Sequence, residues 1–341
     1  MEQTRGLWGR GMSQRCRAAL AGLAALAVLI GSATALSGSA GAQPPGYRPP
    51  LVPTASAPPQ PDHLAAALYM KSHPDAVPER TNDFGCTPTA AHPRPVILAH
   101  GTDASAYSDW SAIAPLLAAE GYCVFALNYG GKPGAVSFGT EDLRLSAHQI
   151  GAFVDQVLAA TGAEKVDLVG FSQGANVTRY YINKLGGAPN VGRWVGLASP
   201  SYGGVMYGLV PIAQAIPGVL EAFAQVTSLA AVQQAQGSPV MLELNAGGDT
   251  VPGVHYVTIG SRVDEMIQPF ENIALHGPGA ENVVIQDRCP ANLTGHFHMV
   301  YDPFVMQLLL EALDPATAPT PVCEPVQLGT GIPQVVIGGN I

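Results

Sequence analysis

Between residues 95 and 287, short apolar runs alternate with longer segments whose apolar residues recur at the spacing of an α-helix. Six of the runs are nearly continuous in apolar residues, and they cover residues 95–100, 122–128, 165–172, 193–199, 255–260 and 282–287. Such a run is typical of a strand that is buried on both faces of a parallel sheet. The pattern therefore predicts an α/β fold with a mostly parallel sheet of about six strands.

The segments between these runs carry helix start and stop signals. Helices are predicted over residues 110–120, 141–161 and 173–185, and a glycine directly follows each of them. Thr140 is the predicted N-cap of the second helix. Because helices connect successive strands, we expect right-handed crossovers and helices that flank the sheet.

One region departs from this alternation. Residues 201–250 separate two predicted strands by far more than an ordinary connection. Within them, residues 209–236 are apolar and helix-prone, with breaks at Pro211 and Pro217. The helical insertion is either a lid over a site or an ordinary pair of packed helices, and the pattern favours neither.

The N-terminus has the pattern of a secretory signal peptide. Four arginines within residues 1–17 precede an apolar run at residues 18–30, and small residues end at Ala42. The apolar run is shorter than the ~20 residues of a membrane-spanning helix. We therefore expect residues 1–42 to be cleaved and the protein to be secreted, rather than held by an uncleaved anchor.

Proline-rich segments lie at both ends of the remaining chain. Residues 43–61 hold eight prolines, and we expect them to be extended and to lead into the domain without joining its core. Residues 314–325 are again rich in proline, and we expect a surface wrap held by Cys323. The main domain is predicted over residues 62–341, including the insertion and this wrap.

The charge of the chain excludes one broad class of function. The formal net charge is −9, and the charged residues, 12% of the chain, form no basic run. Nucleic-acid binding needs clustered Lys and Arg for phosphate contacts, so we exclude a nucleic-acid partner. A composition that is 47% hydrophobic, with 39 glycines and 30 prolines, fits a compact exported protein.

Four cysteines remain after the predicted cleavage. An even number of cysteines in an exported protein indicates disulfides. Of the three possible pairings, Cys86–Cys123 and Cys289–Cys323 close the shortest loops, and we favour them. A zinc site is the competing interpretation, but no C-x-x-C spacing supports it, so we expect no metal.

The clearest chemical signal is the sequence Gly-Phe-Ser-Gln-Gly at residues 170–174. This G-x-S-x-G motif ends one predicted strand and opens the next predicted helix. A sharp strand-to-helix turn exposes the serine hydroxyl at the carboxyl edge of the sheet. We therefore identify Ser172 as a candidate nucleophile.

A serine nucleophile needs a base and an acid, which follow it along the chain in this type of fold. His296, after the last predicted strand, is the candidate base, with His298 as its rival. Asp264, after the strand at residues 255–260, is the candidate acid. Asp287 is a weaker alternative, and Asp249 precedes that strand, at the wrong edge of the sheet.

The developing oxyanion needs two backbone N–H donors. One is expected from Gln173, directly after the nucleophile, and the other from Thr102, in the loop after the first strand. His100 lies in the same loop, and we expect a structural role for it. A Cys289–Cys323 bridge would bracket the segment that carries His296.

Together these residues resemble the secreted bacterial class 2 lipases of the α/β-hydrolase superfamily, and the actinobacterial branch in particular. The stretches that carry the resemblance are HPRPVILAHGT, EGYCVFALNYG, VDLVGFSQGANVTRYYINKLGG, YVTIGSRVDEMI and TGHFHMVYDP. The resemblance implies an α/β-hydrolase fold, ester hydrolysis without a cofactor, a Ser172–Asp264–His296 triad, and Thr102 and Gln173 as oxyanion donors. The long insertion is a departure from the nearly lidless members of this group.

We therefore expect a secreted serine carboxylic-ester hydrolase, a triacylglycerol lipase that acts through an acyl-enzyme. Its partner would be a lipid or another ester substrate. We expect the protein to be a monomer that makes transient contact with a lipid–water interface. A cutinase-like polyesterase or a short-chain esterase is the nearest alternative, since a glutamine also follows the nucleophile in cutinases. An envelope acyltransferase and a binding protein on an inactive scaffold remain as further alternatives.

Overall fold

The computed structural model describes residues 43–204 and 228–338. Every helix and strand named below lies in one compact unit, Gly46–Ile341. The predicted signal peptide lies outside the described residues, as does the part of the predicted insertion at residues 205–227. Across the described ranges, no helix combines the length and the apolar character needed to span a membrane.

The strands form one large sheet and one small one. They are β1 (Ala55–Ala57), β2 (Ala76–Pro78), β3 (Val96–Ala99), β4 (Val124–Leu127), β5 (Val166–Phe171), β6 (Val191–Leu197), β7 (His255–Gly260) and β8 (Glu281–Val284). The last six pair in parallel in the order β4-β3-β5-β6-β7-β8. The predicted parallel six-stranded sheet is thus confirmed.

The α-helices are α1 (His63–Ser72), α2 (Ala106–Trp110), α3 (Ile113–Ala119), α4 (Leu143–Thr161), α5 (Gln173–Lys184), α6 (Leu229–Gln233), α7 (Pro239–Asn245), α8 (Ile285–Arg288), α9 (Pro303–Leu313) and α10 (Ile332–Gly338). Short 3₁₀ helices lie at Ala188–Asn190, Phe270–Asn272 and His296–Tyr301.

The core has a layer on each face of the large sheet, because side chains along a strand alternate between faces. In β3, Val96 and Leu98 join the layer formed with α2, α3 and α9. Ile97 and Ala99 join the opposite layer, formed with α4, α5 and α7. All four residues are fully buried, which accounts for the continuous apolar runs in the sequence.

Two helix boundaries differ from the prediction. The helix predicted over residues 110–120 is the pair α2 and α3, and α2 begins earlier because Ser105 forms a capping box with Ser108. The start of α4 also differs, since its N-cap is Asp142, whose carboxylate accepts the Arg144 amide at 2.8 Å. Thr140 lies before the cap, and its amide and hydroxyl both donate to the Gly130 carbonyl.

The last strand is shorter than predicted. The prediction covers residues 282–287, but β8 ends at Val284, and the chain turns at once into α8. Ile285 is fully buried in the core, and its carbonyl accepts the Cys289 amide at 2.8 Å. The apolar run therefore continues into the core as a helical turn rather than as a strand.

The proline-rich segment at residues 43–61 is more integrated than predicted. Its residues Ala55–Ala57 form β1, which pairs in parallel with β2. Ala57 is buried in a small cluster with Met70 of α1 and Tyr107 of α2. The extended backbone that prolines favour is compatible with a short strand, so the segment packs onto the domain.

Two disulfides tie down distant parts of the chain. Cys86 is joined to Cys123 and Cys289 to Cys323, with Cα atoms 5.9 and 5.1 Å apart. The four cysteines are thus paired with one another, which leaves no described thiol for the competing zinc site. Residues 314–325 run as turns and extended chain into the second bridge.

Within the predicted insertion, the described part is packed against the domain. Gln233 of α6 accepts the Leu143 amide and donates to Asp142, so it closes the start of α4. Arg179 of α5 is fully buried and donates to the carbonyl of Ser201 and to Asn245, which lie on either side of the undescribed stretch. The described residues on both sides of this stretch are therefore packed against the domain.

Candidate active site

Ser172 lies at a strained turn between β5 and α5. It is the N-cap of α5, with φ of 51° and ψ of −120°, a backbone region that is unfavourable for residues other than glycine. A Cβ at Gly170 would lie 2.3 Å from the Ala175 nitrogen, and one at Gly174 would lie 2.0 Å from the Ala99 oxygen. Only glycine fits these two positions, which explains the flanking residues of the motif.

His296 lies within hydrogen-bond distance of this serine. It begins a 3₁₀ helix after β8, and its Nε2 lies 3.0 Å from the Ser172 Oγ. The ring of Phe171 lies beside it, with ring centroids 5.1 Å apart. A general base must lie within hydrogen-bond reach of the proton it removes, and His296 meets this condition.

Asp264 orients the histidine through the ring nitrogen that does not face Ser172. Its Oδ2 lies 3.0 Å from the His296 Nδ1, while its Oδ1 accepts the amides of Met266 and Ile267 at 2.8 and 2.7 Å. The side chain is fully buried in the turn after β7. Its two oxygens are therefore fixed by separate partners, and one of them faces the imidazole.

The electrostatic surroundings of His296 favour its charged form. Burial lowers the pKa of His296, but the charge and hydrogen bond of Asp264, together with the charges of Glu265 and Asp109, outweigh it. The pKa of His296 is therefore raised from its ordinary value. An imidazole that must accept a proton during a reaction benefits from such surroundings.

The loop after β3 lies against the serine turn. Gly101 donates its amide to the buried Asp109 carboxylate at 2.7 Å, and a Cβ on Gly101 would lie 3.3 Å from the Phe171 ring. Thr102 follows, and its hydroxyl accepts a hydrogen bond from Gln234 at 3.1 Å. Gln173 begins α5, so its amide is among those that a helix leaves without an internal acceptor.

His100 has the structural position that the sequence predicts. It is fully buried, and its ring stacks on Tyr129 with centroids 4.2 Å apart. Burial lowers the pKa of His100 to about 4. The ring is therefore neutral at ordinary pH, and it bonds to the Gly101 carbonyl at 2.7 Å.

The rival residues have other surroundings and partners. His298 is half-buried beside the charges of Asp302 and Asp62. Asp287 is exposed and paired with Arg262, with the closest atoms 2.8 Å apart. Asp249 lies before β7 and accepts from Tyr202 and from the His276 amide.

Three residues that support the candidate site were not predicted from the sequence. Glu265 accepts the His296 amide, and Asp109 holds the loop of Thr102. Gln286 of α8 donates to both Ser261 and Asn292, and so links the Asp264 turn to the His296 loop. The only sequence signal for Glu265 is its position directly after Asp264. No sequence signal points to Asp109 or Gln286.

Comparison with known proteins identifies the family to which this sequence is similar. The sequence matches the family described as lipase (class 2) over residues 93–308, more than half of the chain. Two relatives are triacylglycerol lipases. One, from Burkholderia plantarii, is 39% identical over 122 residues, which are 34% of this chain and 30% of that protein. The other, from Pseudarthrobacter phenanthrenivorans, is 41% identical over 97 residues, 27% of this chain and 28% of that protein.

The match thus spans less than a third of either relative. Solved structures share the fold at lower identity. Aspergillus fumigatus lipase B is 21% identical, with a TM-score of 0.55 over 70% of this chain and 55% of that one. A Bacillus licheniformis lipase in its propeptide form is 18% identical, with a TM-score of 0.52 over 71% of this chain and 54% of that one.

Proposed function

Because the chain belongs to the class 2 lipase family, we propose that it hydrolyses carboxylic esters with Ser172 as nucleophile, His296 as base and Asp264 as orienting acid. The observation that carries this proposal is the continuous hydrogen-bonded series of three side chains, with both links 3.0 Å long. A serine on a strained turn next to a histidine that is itself oriented by a buried carboxylate is the arrangement that acyl transfer needs.

In the proposed reaction, His296 takes the Ser172 proton as the hydroxyl attacks the ester carbonyl. The amides of Thr102 and Gln173 bind the tetrahedral oxyanion. His296 then protonates the leaving alcohol, and an acyl-enzyme remains on Ser172. Water enters, His296 removes its proton, and the same steps in reverse order release the acid.

Triacylglycerols are the proposed substrate class, since both relatives named above are triacylglycerol lipases. We also propose that the protein is secreted. Its two disulfides support this location because such bonds persist in oxidising compartments. The basic, apolar and small-residue pattern of residues 1–42 supports it independently.

The test compares the wild-type protein with Ser172→Ala and with a matched control, Ser72→Ala, at an exposed position near the end of α1. Hydrolysis of p-nitrophenyl esters, from acetyl to stearoyl, is measured alongside emulsified triolein. Mass spectrometry after treatment with an organophosphate ester shows whether Ser172 is labelled. We expect activity and labelling in the wild type and control, and a loss of ~10⁴-fold or more in Ser172→Ala.

Retained turnover in Ser172→Ala would exclude the proposed nucleophile. A preference for triolein and long acyl chains supports a lipase, while a short-chain preference would replace it with an esterase or cutinase-like enzyme. Acyl groups that appear on an added sugar or alcohol, and not as free acid, would point to an acyltransferase.

A further inference from the structure

A second carboxylate, that of Glu265, contacts the backbone of the proposed base. Glu265 follows Asp264 directly and is 6% exposed. Its Oε2 accepts the backbone amide of His296, the first residue of the 3₁₀ helix at His296–Tyr301. Its Oε1 is buried and has no hydrogen-bond partner among the described residues. A buried carboxylate held by a backbone amide, with one oxygen unpaired, needs a reason to be there.

Gly295 provides the space for this carboxylate. A Cβ at Gly295 would lie 2.1 Å from both oxygens of Glu265. The backbone of Gly295, with φ of −102° and ψ of −164°, is open to any residue. The glycine therefore serves the close approach of the Glu265 carboxylate rather than an unusual backbone conformation.

The charge of Glu265 acts on the same imidazole as Asp264. The acidic groups that act on His296 are Asp264, Glu265 and Asp109, and each raises the pKa of His296 against the effect of its burial. Burial raises the pKa of Glu265 itself, and so does Asp264, whereas the backbone amides of Glu265 and His296 and the charge of His296 favour its ionised form. Proton gain by His296 and ionisation of Glu265 thus support each other.

We propose that Glu265 is a positioning residue for His296, whose carboxylate fixes the start of the base-carrying helix and whose charge stabilises the imidazolium that forms during ester hydrolysis. This inference rests on the proposed function, in which His296 is the base. Glu265 does not touch the ester, so it acts on the rate of the chemical steps and not on substrate binding.

The main test is Glu265→Gln, which keeps the shape of the side chain and an oxygen that accepts the His296 amide, but removes the charge. The variant is compared with Glu120→Gln, which removes a charge from an exposed position at the end of α3. We expect kcat to fall ~3- to 10-fold on the alkaline plateau with KM unchanged. Because His296 must be neutral to act as a base, a lower pKa moves the acidic limb of the kcat/KM profile down by ~0.5–1 pH unit.

A second readout does not require turnover. In protein labelled with ¹⁵N-histidine, NMR titration gives the pKa of His296, whose signal is identified by its loss in His296→Asn. We expect this pKa to be lower in Glu265→Gln than in the wild type and in Glu120→Gln. A wild type that hydrolyses no ester would contradict the proposed function, yet it would leave this titration readable.

Gly295→Ala tests the contact between Glu265 and the His296 amide without changing Glu265. Its methyl group must displace the Glu265 carboxylate, so we expect the same fall in kcat and a lower pKa of His296 with the glutamate still present. Thermal denaturation reports whether each variant is folded. Folded variants whose pH profiles and His296 titrations match those of the wild type would overturn the proposal and leave Glu265 a packing residue.

Discussion

At the scale of single residues, the proposed site is arranged before any substrate arrives. The Asp264 carboxylate is fully buried, and one oxygen is fixed by two backbone amides of its own turn. The other oxygen is left to hold the His296 Nδ1. The tautomer with its proton on Nδ1 is thus favoured, which leaves Nε2 free to accept the Ser172 proton.

We therefore expect Asp264→Asn to fold but to lose activity. The asparagine oxygen can still accept the turn amides, whereas its NH₂ group would face Nδ1 and favour the wrong tautomer. A fall in kcat of ~10³–10⁴-fold is expected, with little change in thermal stability. The control is Asp287→Asn at the exposed partner of Arg262, and comparable losses in both variants would contradict the assignment of Asp264.

Much of the candidate site could be predicted, because its residues follow strands that are readable as apolar runs. Ser172, Asp264 and His296 each occupy the loop after such a run, and parallel strands bring those loops to one edge of the sheet. Glu265 and Asp109 could not be predicted in the same way. Their roles depend on contacts with backbone amides of other loops, and no local pattern records such contacts.

At the scale of elements, short helices hold the loops around the nucleophile. The helix α2 presents Asp109, which is fully buried and binds the Gly101 amide directly before Thr102. The other oxygen of Asp109 lies 3.5 Å from the Nδ1 of His63, at the start of α1. Burial lowers the pKa of His63, but Asp109 and Asp62 more than compensate, so it is raised overall.

We expect Asp109→Asn to loosen this loop. A neutral side chain binds the Gly101 amide more weakly, so we expect the free energy of unfolding to fall by about 1 kcal/mol, the difference between a charged and a neutral hydrogen bond. If Thr102 serves the oxyanion, its displacement lowers kcat by ~10-fold or more. Asp103→Asn is the matched control, because Asp103 is exposed and asparagine accepts its positive φ of 53°. Unchanged kcat and denaturation in Asp109→Asn would show that the loop does not need this support.

The helix boundaries show what the sequence cannot settle at this scale. Thr140 and Asp142 are both good N-cap residues, but Asp142 accepts the first amides of α4, while Thr140 donates to the Gly130 carbonyl of another loop. Similarly, residues 282–287 are predicted to form one strand, yet Ile285 belongs to a helical turn and is buried in the core. Local propensity identifies the elements, while tertiary contacts determine where they begin and end.

At the scale of the whole molecule, the two disulfides have similar reach but different neighbours. Cys86–Cys123 spans 37 residues beside β3 and β4, and Cys289–Cys323 spans 34 residues around the His296 loop. On the chain-entropy argument, each contributes about 4 kcal/mol by restricting the unfolded chain. Only the second brackets a residue of the proposed triad.

Removal of either bridge by paired serine substitutions should therefore lower the free energy of unfolding by a similar amount, up to about 4 kcal/mol. Chemical denaturation followed by fluorescence measures this change. We expect kcat at low temperature to fall in Cys289→Ser/Cys323→Ser and to stay near the wild-type value in Cys86→Ser/Cys123→Ser. Equal effects on kcat would show that the second bridge has no special relation to the base.

The order of the large sheet also sets the sequence of events during biosynthesis. After β5, each new strand through β8 pairs with the one made just before it, so this half of the sheet can grow as the polypeptide emerges. The serine turn is made before its two partners, since Asp264 follows β7 and His296 follows only after β8. A nascent polypeptide therefore carries the Ser172 hydroxyl without its proposed base until 124 further residues have been added. The proposed triad can therefore form only after β8, the last strand of the large sheet, has been made, and no shorter nascent polypeptide exposes the producing cell to it.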